Sequence, residues 1–151
     1  MGTSFTRFRG NGFWSGYPAL EIWLHLLARE VDQSVPAPDW LQDAARFWRE
    51  IASIGLTGCI CAELDERLTD PERIRVVVDV AERTLVWMRV QGPVLSAALL
   101  NSLGTGGEGS IFPRDVDTGV FARVGEAFIR LLQGELRTDA RTSPIVDRQP
   151  S

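Results

Sequence analysis

The sequence predicts an all-α protein: a single-domain bundle of five to six helices around one long, mostly buried helix at about residues 71–91. Three observations carry this. Apolar residues recur at helical spacing in each long segment between the proline and glycine breaks. The start and stop signals of those segments are explicit. The 151 residues, 44% of them hydrophobic, suffice for one ordinary core without staples. The β-branched run Ile74 to Val80 would also suit a buried strand, but its length and capping decide for helix. The chain divides into an aromatic N-terminal arm (1–16), a helical domain (17–136) and a disordered or docking tail (137–151).

The arm interleaves Phe5, Phe8, Phe13 and Trp14 with Arg7, Arg9, Gly10, Gly12 and Gly16, without helical period. Asn11-Gly12 is a turn signal that returns residues 5–9 along Phe13-Trp14. The four aromatics read as anchors over the core. A stacking platform for bases or sugars is the competing reading.

A first helix follows at 18–31, with Leu20, Trp23, Leu24, Leu27 and Val31 inward. Its opposite stripe, expected to face solvent, runs Glu21, His25, Arg29, Asp32. His25, the single histidine, is therefore a candidate general base oriented by Glu21. No nucleophile stands at a matching position, which favours a solvating stripe. After the Pro36-Ala37-Pro38 break, a second helix at 39–54 turns Trp40, Leu41, Ala44, Phe47, Trp48, Ile51 and Ala52 inward and Arg49 and Ser53 outward.

Cys59 and Cys61 are too close in sequence for a comfortable disulfide. One histidine and no further cysteine are too few for a standard zinc site, so no metal and no cofactor is expected. Both thiols read as small buried hydrophobes. Cys61, just ahead of a short helical run through Leu64 and Leu68, is also a candidate reactive thiol.

The long helix has a capping box from Thr69 to Glu72, Pro71 at its first position and Gly92-Pro93 at its end. Ile74, Val77, Val78, Ala81, Leu85 and Met88 form one face, which Val76, Val80 and Trp87 widen. A polar stripe remains at Arg75, Asp79, Glu82, Arg83 and Arg89. A shorter helix is predicted at 94–103. The stretch after it formally satisfies G-x-G-x-x-G, but no strand precedes it, so a dinucleotide fingerprint is excluded. Gly104, Gly106, Gly107, Gly109 and Ser110 remain a candidate anion nest, with Arg114 nearby to supply charge. The last helix is capped by Asp117 or Thr118 and runs from about 120 to 132 or 136. Gly125 at its middle marks a close helix crossing.

All 16 basic residues are arginine, and the net charge is −4. That balance disfavours nucleic acid as a partner and, with it, a helical transcriptional regulator. No signal peptide or membrane span is recognisable, which places the protein in the cytoplasm. The preferred function is a small acidic interaction module of the inhibitor, immunity, antitoxin or adaptor type, binding another protein or a second copy of itself. The alternative is a small enzyme or small-molecule binder using residues 104–110 with His25, Cys61 and Arg114.

Overall fold

A computed structural model of the chain describes residues 2–34, 36–53, 60–103 and 112–148. Those residues are predominantly helical and add two small antiparallel ladders to the expected helices. In chain order they form β1 (Thr3–Phe8), β2 (Asn11–Gly16), α1 (Tyr17–Gln33), α2 (Asp39–Ser53), α3 (Leu64–Arg67) and α4 (Pro71–Gln91). There follow β3 (Val94–Leu95), α5 (Ala97–Ser102), β4 (Val116–Asp117), α6 (Thr118–Leu132) and a 3-10 turn at Val146–Arg148.

The aromatic arm is a β-hairpin whose turn falls at Arg9-Gly10, not at Asn11-Gly12. Arg9 and Gly10 both have positive φ (51° and 83°), as a two-residue hairpin turn requires, and Phe8 pairs with Asn11. Gly12 is needed for room: a Cβ there would lie 2.2 Å from the Thr6 carbonyl oxygen and 2.7 Å from the Phe5 ring. Strand alternation buries Ser4, Thr6 and Phe8 of β1 with Phe13 and Ser15 of β2. On the other face, Phe5 and Trp14 pair with ring centroids 5.2 Å apart. Ser4 ties the hairpin to the chain ahead of α3, because its hydroxyl accepts the Ile60 N–H at 3.0 Å.

The helix that the others cover is α1, not α4. Eleven of the 17 residues of α1 are buried, against seven of 21 in α4. The reason lies in α2, which packs along the stripe of α1 that was expected to face water, while α4 and α6 cover its other sides. Trp23 of α1 is fully buried and meets Phe128 of α6 edge-on at 5.6 Å. A Cβ on Gly125 would stand 2.6 Å from the Trp23 ring and 2.8 Å from Leu85 Cδ2, so α1, α4 and α6 converge at this glycine.

Helix α4 has the expected bounds, and of its two overlapping start signals the Asp70-Pro71 pair is the one used, not the capping box from Thr69. The Asp70 carboxylate accepts the Arg73 N–H at 2.9 Å, since Pro71 in the first turn makes the residue before it the N-cap. Val94 and Leu95, expected in a helix, are extended and pair with Asp117 and Val116. Helix α5 therefore starts later than the expected residue 94, capped by Ser96, whose hydroxyl accepts the Leu99 N–H at 3.1 Å. Residues 137–148 return over β2 and α6. Gly12 N–H donates to the Thr138 carbonyl at 2.8 Å, Trp14 Nε1 donates to the Ala140 carbonyl at 2.8 Å, and Gly16 N–H donates to the Asp147 carboxylate at 2.9 Å.

Candidate functional site

The C-terminal end of α4 is built as a rigid corner. Gly92, at φ 116°, ends the helix in a conformation that side chains disfavour, and Pro93 turns the chain into β3. The start of α6 is fastened to this corner twice: Thr118 N–H donates to the Pro93 carbonyl at 2.9 Å, and Thr118 Oγ1 donates to the Gly92 carbonyl at 2.8 Å. Thr118 thus joins two helices, while Asp117 alone caps α6 by accepting the Gly119 N–H at 2.7 Å.

On the outside of this corner stand Val86, Val90 and Val94, which are 59%, 75% and 45% exposed; they are the exposed large hydrophobic side chains among the described residues. Val86 and Val90 lie one turn apart on the same face of α4. Two arginines near them are paired. Arg89 reaches Glu126 of α6 at 2.8 Å, and Arg83 reaches Glu30 of α1 at 3.3 Å and the Ser34 hydroxyl at 2.9 Å. Arg29 lies over the half-buried Trp87 ring at 4.4 Å. Beside the valines an open cleft of about 490 Å³ runs between Pro93 and Ala122. An apolar centre with a polar, charged rim is the anatomy of a contact surface.

Sequence reasoning missed these valines, although a signal existed. At 100° per residue Val86 and Val90 fall within about 20° of Asp79, in the middle of the polar stripe. Apolar residues on a stripe that is otherwise charged have no core to enter.

The expected site residues lie elsewhere. Glu21 and His25 are not on a solvent face: they are 6% and 5% exposed, in the seam between α1 and α2. Arg49 and Ser53, expected to point outward, turn into that seam. Arg49 pairs with Asp32, and Ser53 Oγ lies 3.2 Å from His25 Nε2. Burial pushes the Glu21 carboxyl up to about 7. Burial, and then the positive charge of Arg49, push His25 down to about 4 against the opposing pull of the Ala52 backbone. A serine beside a histidine resembles a nucleophile and its base, but Ser53 Oγ donates to the Arg49 carbonyl at 2.7 Å. Its proton is therefore committed to the helix backbone and is not available to the imidazole.

The chain matches no known family model, no curated protein and no solved structure.

Cys61 is exposed, contrary to the buried thiol expected, and lines a cleft of about 250 Å³ with Phe5, Arg7 and Glu63. The cap of the four-residue α3 is Glu63, two positions further on, so Cys61 does not sit at that N-terminus. Cys59 and the glycine-rich stretch from Gly104 to Ser110 lie outside the described residues. Just beyond that stretch, the Asn101 side chain exchanges two hydrogen bonds with the Phe112 backbone, at 2.7 and 3.0 Å, while Arg114 is exposed. The clefts lined by Cys61, by Arg49, by Pro93, by Arg130 and by Phe121 each bring together no two of Glu21, His25, Cys61 and Arg114. Among the described residues, no three histidine, cysteine or acidic side chains form a group that could hold a metal ion. No helix among them is long and apolar enough to cross a membrane.

Proposed function

We propose that this chain is a cytoplasmic protein-binding module, of the inhibitor, immunity, antitoxin or adaptor kind, whose contact surface is the outer face of α4 and the corner after it. The observation that carries this reading is the exposure of Val86, Val90 and Val94, three apolar side chains left in water along the outer end of α4 and just after it. Each buried methylene contributes about 0.8 kcal/mol, so a partner that covers the valines gains stability. The flanking Arg83 and Arg89 already have acidic partners, so neither of these two cations is left unpaired when the valines are covered. Spacing of one helical turn suits a partner helix laid across α4 with its own apolar residues at the same interval. An enzyme built on His25 has weaker support, because the hydroxyl facing that histidine is already engaged.

Native mass spectrometry of untagged protein purified from its source tests the proposal. The wild type is expected to carry a stoichiometric second polypeptide. The V86D/V90D double variant is expected to lose it while keeping its melting temperature, since substitutions at exposed sites usually change stability within about 0.5 kcal/mol. A partner retained by that variant, or a wild type that is alone, overturns the proposal. A second copy of this chain released by the same variant would identify the partner as itself.

A further inference from the structure

A second cleft, which shares Glu126 with the cleft beside the valines, lies between α6 and the returning C-terminal segment. Its volume is about 370 Å³, within the range of small-molecule sites. Phe13, Ala127, Leu136 and Val146 supply an apolar lining, and Arg123 and Arg130 line it as well. Seven residues make nearly two helical turns, so Arg123 and Arg130 leave α6 on one side, their Cα atoms roughly 10 Å apart along its axis.

What this cleft can recognise follows from which of its polar groups are already engaged. The Thr138 hydroxyl donates to the Gly12 carbonyl at 2.7 Å. The Ser143 hydroxyl accepts the Trp14 N–H at 3.1 Å and donates to the Pro144 carbonyl at 2.7 Å. The one acid in the lining, Glu126, is taken by Arg89 at 2.8 Å. Arg123 is held in place by donating to the Asp147 carbonyl at 3.2 Å, and neither it nor Arg130 has a carboxylate within ion-pair distance among the described residues. In a chain of net charge −4 this cleft therefore keeps two uncompensated cations over an apolar floor. Guanidinium groups supply only donors, and their best partner is a carboxylate.

We infer that the cleft between α6 and residues 137–148 binds a small monocarboxylic acid with an apolar body, its carboxylate at Arg130 and its body on Phe13, Ala127, Leu136 and Val146. A ligand of about ten to twenty non-hydrogen atoms fills a volume of this order. The site belongs to the folded tail as much as to α6.

Titration calorimetry of the full chain with octanoate, and with its uncharged analogue octanamide, tests the assignment. Octanoate is expected to bind about tenfold more tightly than octanamide, the value of one charge-assisted contact. R130Q, at an exposed position, is expected to remove that difference without changing the melting temperature, and A127W, which fills the floor, to abolish binding of both. Equal affinity for acid and amide, octanoate binding unchanged by R130Q, or no heat from either ligand at millimolar concentration overturns the assignment.

Discussion

Glu21 and His25 sit one helical turn apart in the same buried seam, and their titrations oppose each other. For His25 the folded value, about 4, is below its ordinary 6.5, so the unfolded chain binds the proton more readily and stability rises with pH between those values. For Glu21 the folded value, about 7, is above its ordinary 4.5, so the folded chain holds the proton and stability falls with pH between those values. Between pH 4.5 and 6.5 the two contributions cancel, and the wild type is expected to show a flat dependence there from this pair. Urea denaturation across pH 4 to 7 exposes each half. E21Q is expected to become more stable as pH rises toward 6.5, and H25N less stable as pH rises from 4.5 toward 7. Either slope is at most about 1.4 kcal/mol per pH unit. Parallel slopes in the two variants would contradict this account. The four-residue spacing of the pair was legible in the sequence, but its burial was not. A polar stripe on one helix reads as solvent-facing until the polar residues of a second helix, here Arg49 and Ser53, are known to lie against it.

At the scale of elements, the close crossing at Gly125 makes a prediction that runs against local preference. Alanine is better than glycine in a helix interior by about 1 kcal/mol, yet a Cβ here would meet the Trp23 ring at 2.6 Å and Leu85 Cδ2 at 2.8 Å. The aromatic ring is fully buried and cannot yield. G125A is therefore expected to destabilise by about 1–3 kcal/mol, the usual range for an overfilled core. Thermal unfolding reads this as a lowered midpoint, and a raised midpoint would show that the three helices do not converge there. The crossing was legible because a glycine in mid-helix has few other uses. The ends of α4 were legible for a similar reason, since Pro71 and Gly92 each impose a backbone geometry locally. The turn of the hairpin was misplaced because Asn11-Gly12 satisfies the same local rule as Arg9-Gly10. Only the pairing of Thr6 with Phe13, and the room that Gly12 leaves for the Phe5 ring, chooses between them. The ladder of β3 with β4 joins residues far apart in sequence and left no local signal.

For the whole molecule, helical class followed from periodicity, but the identity of the covered helix did not. Helix α4 is long and rich in valine, which suggested burial on several sides. Two of those valines, Val86 and Val90, stand among charged residues on its outer face, and α1 takes the centre because α2 conceals its polar stripe. Apolar content alone does not say which surface a neighbour covers. The same misreading hid the candidate contact surface, which consists of apolar residues that the fold leaves unburied. Hydrogen exchange of the free chain, compared with the complex purified from its source, tests that surface most directly. The account predicts slowed exchange in the complex over residues 83–95 and at the start of α6, with the β1–β2 hairpin unchanged. Protection confined to the hairpin or to α2, with the end of α4 exchanging as in the free chain, would contradict it.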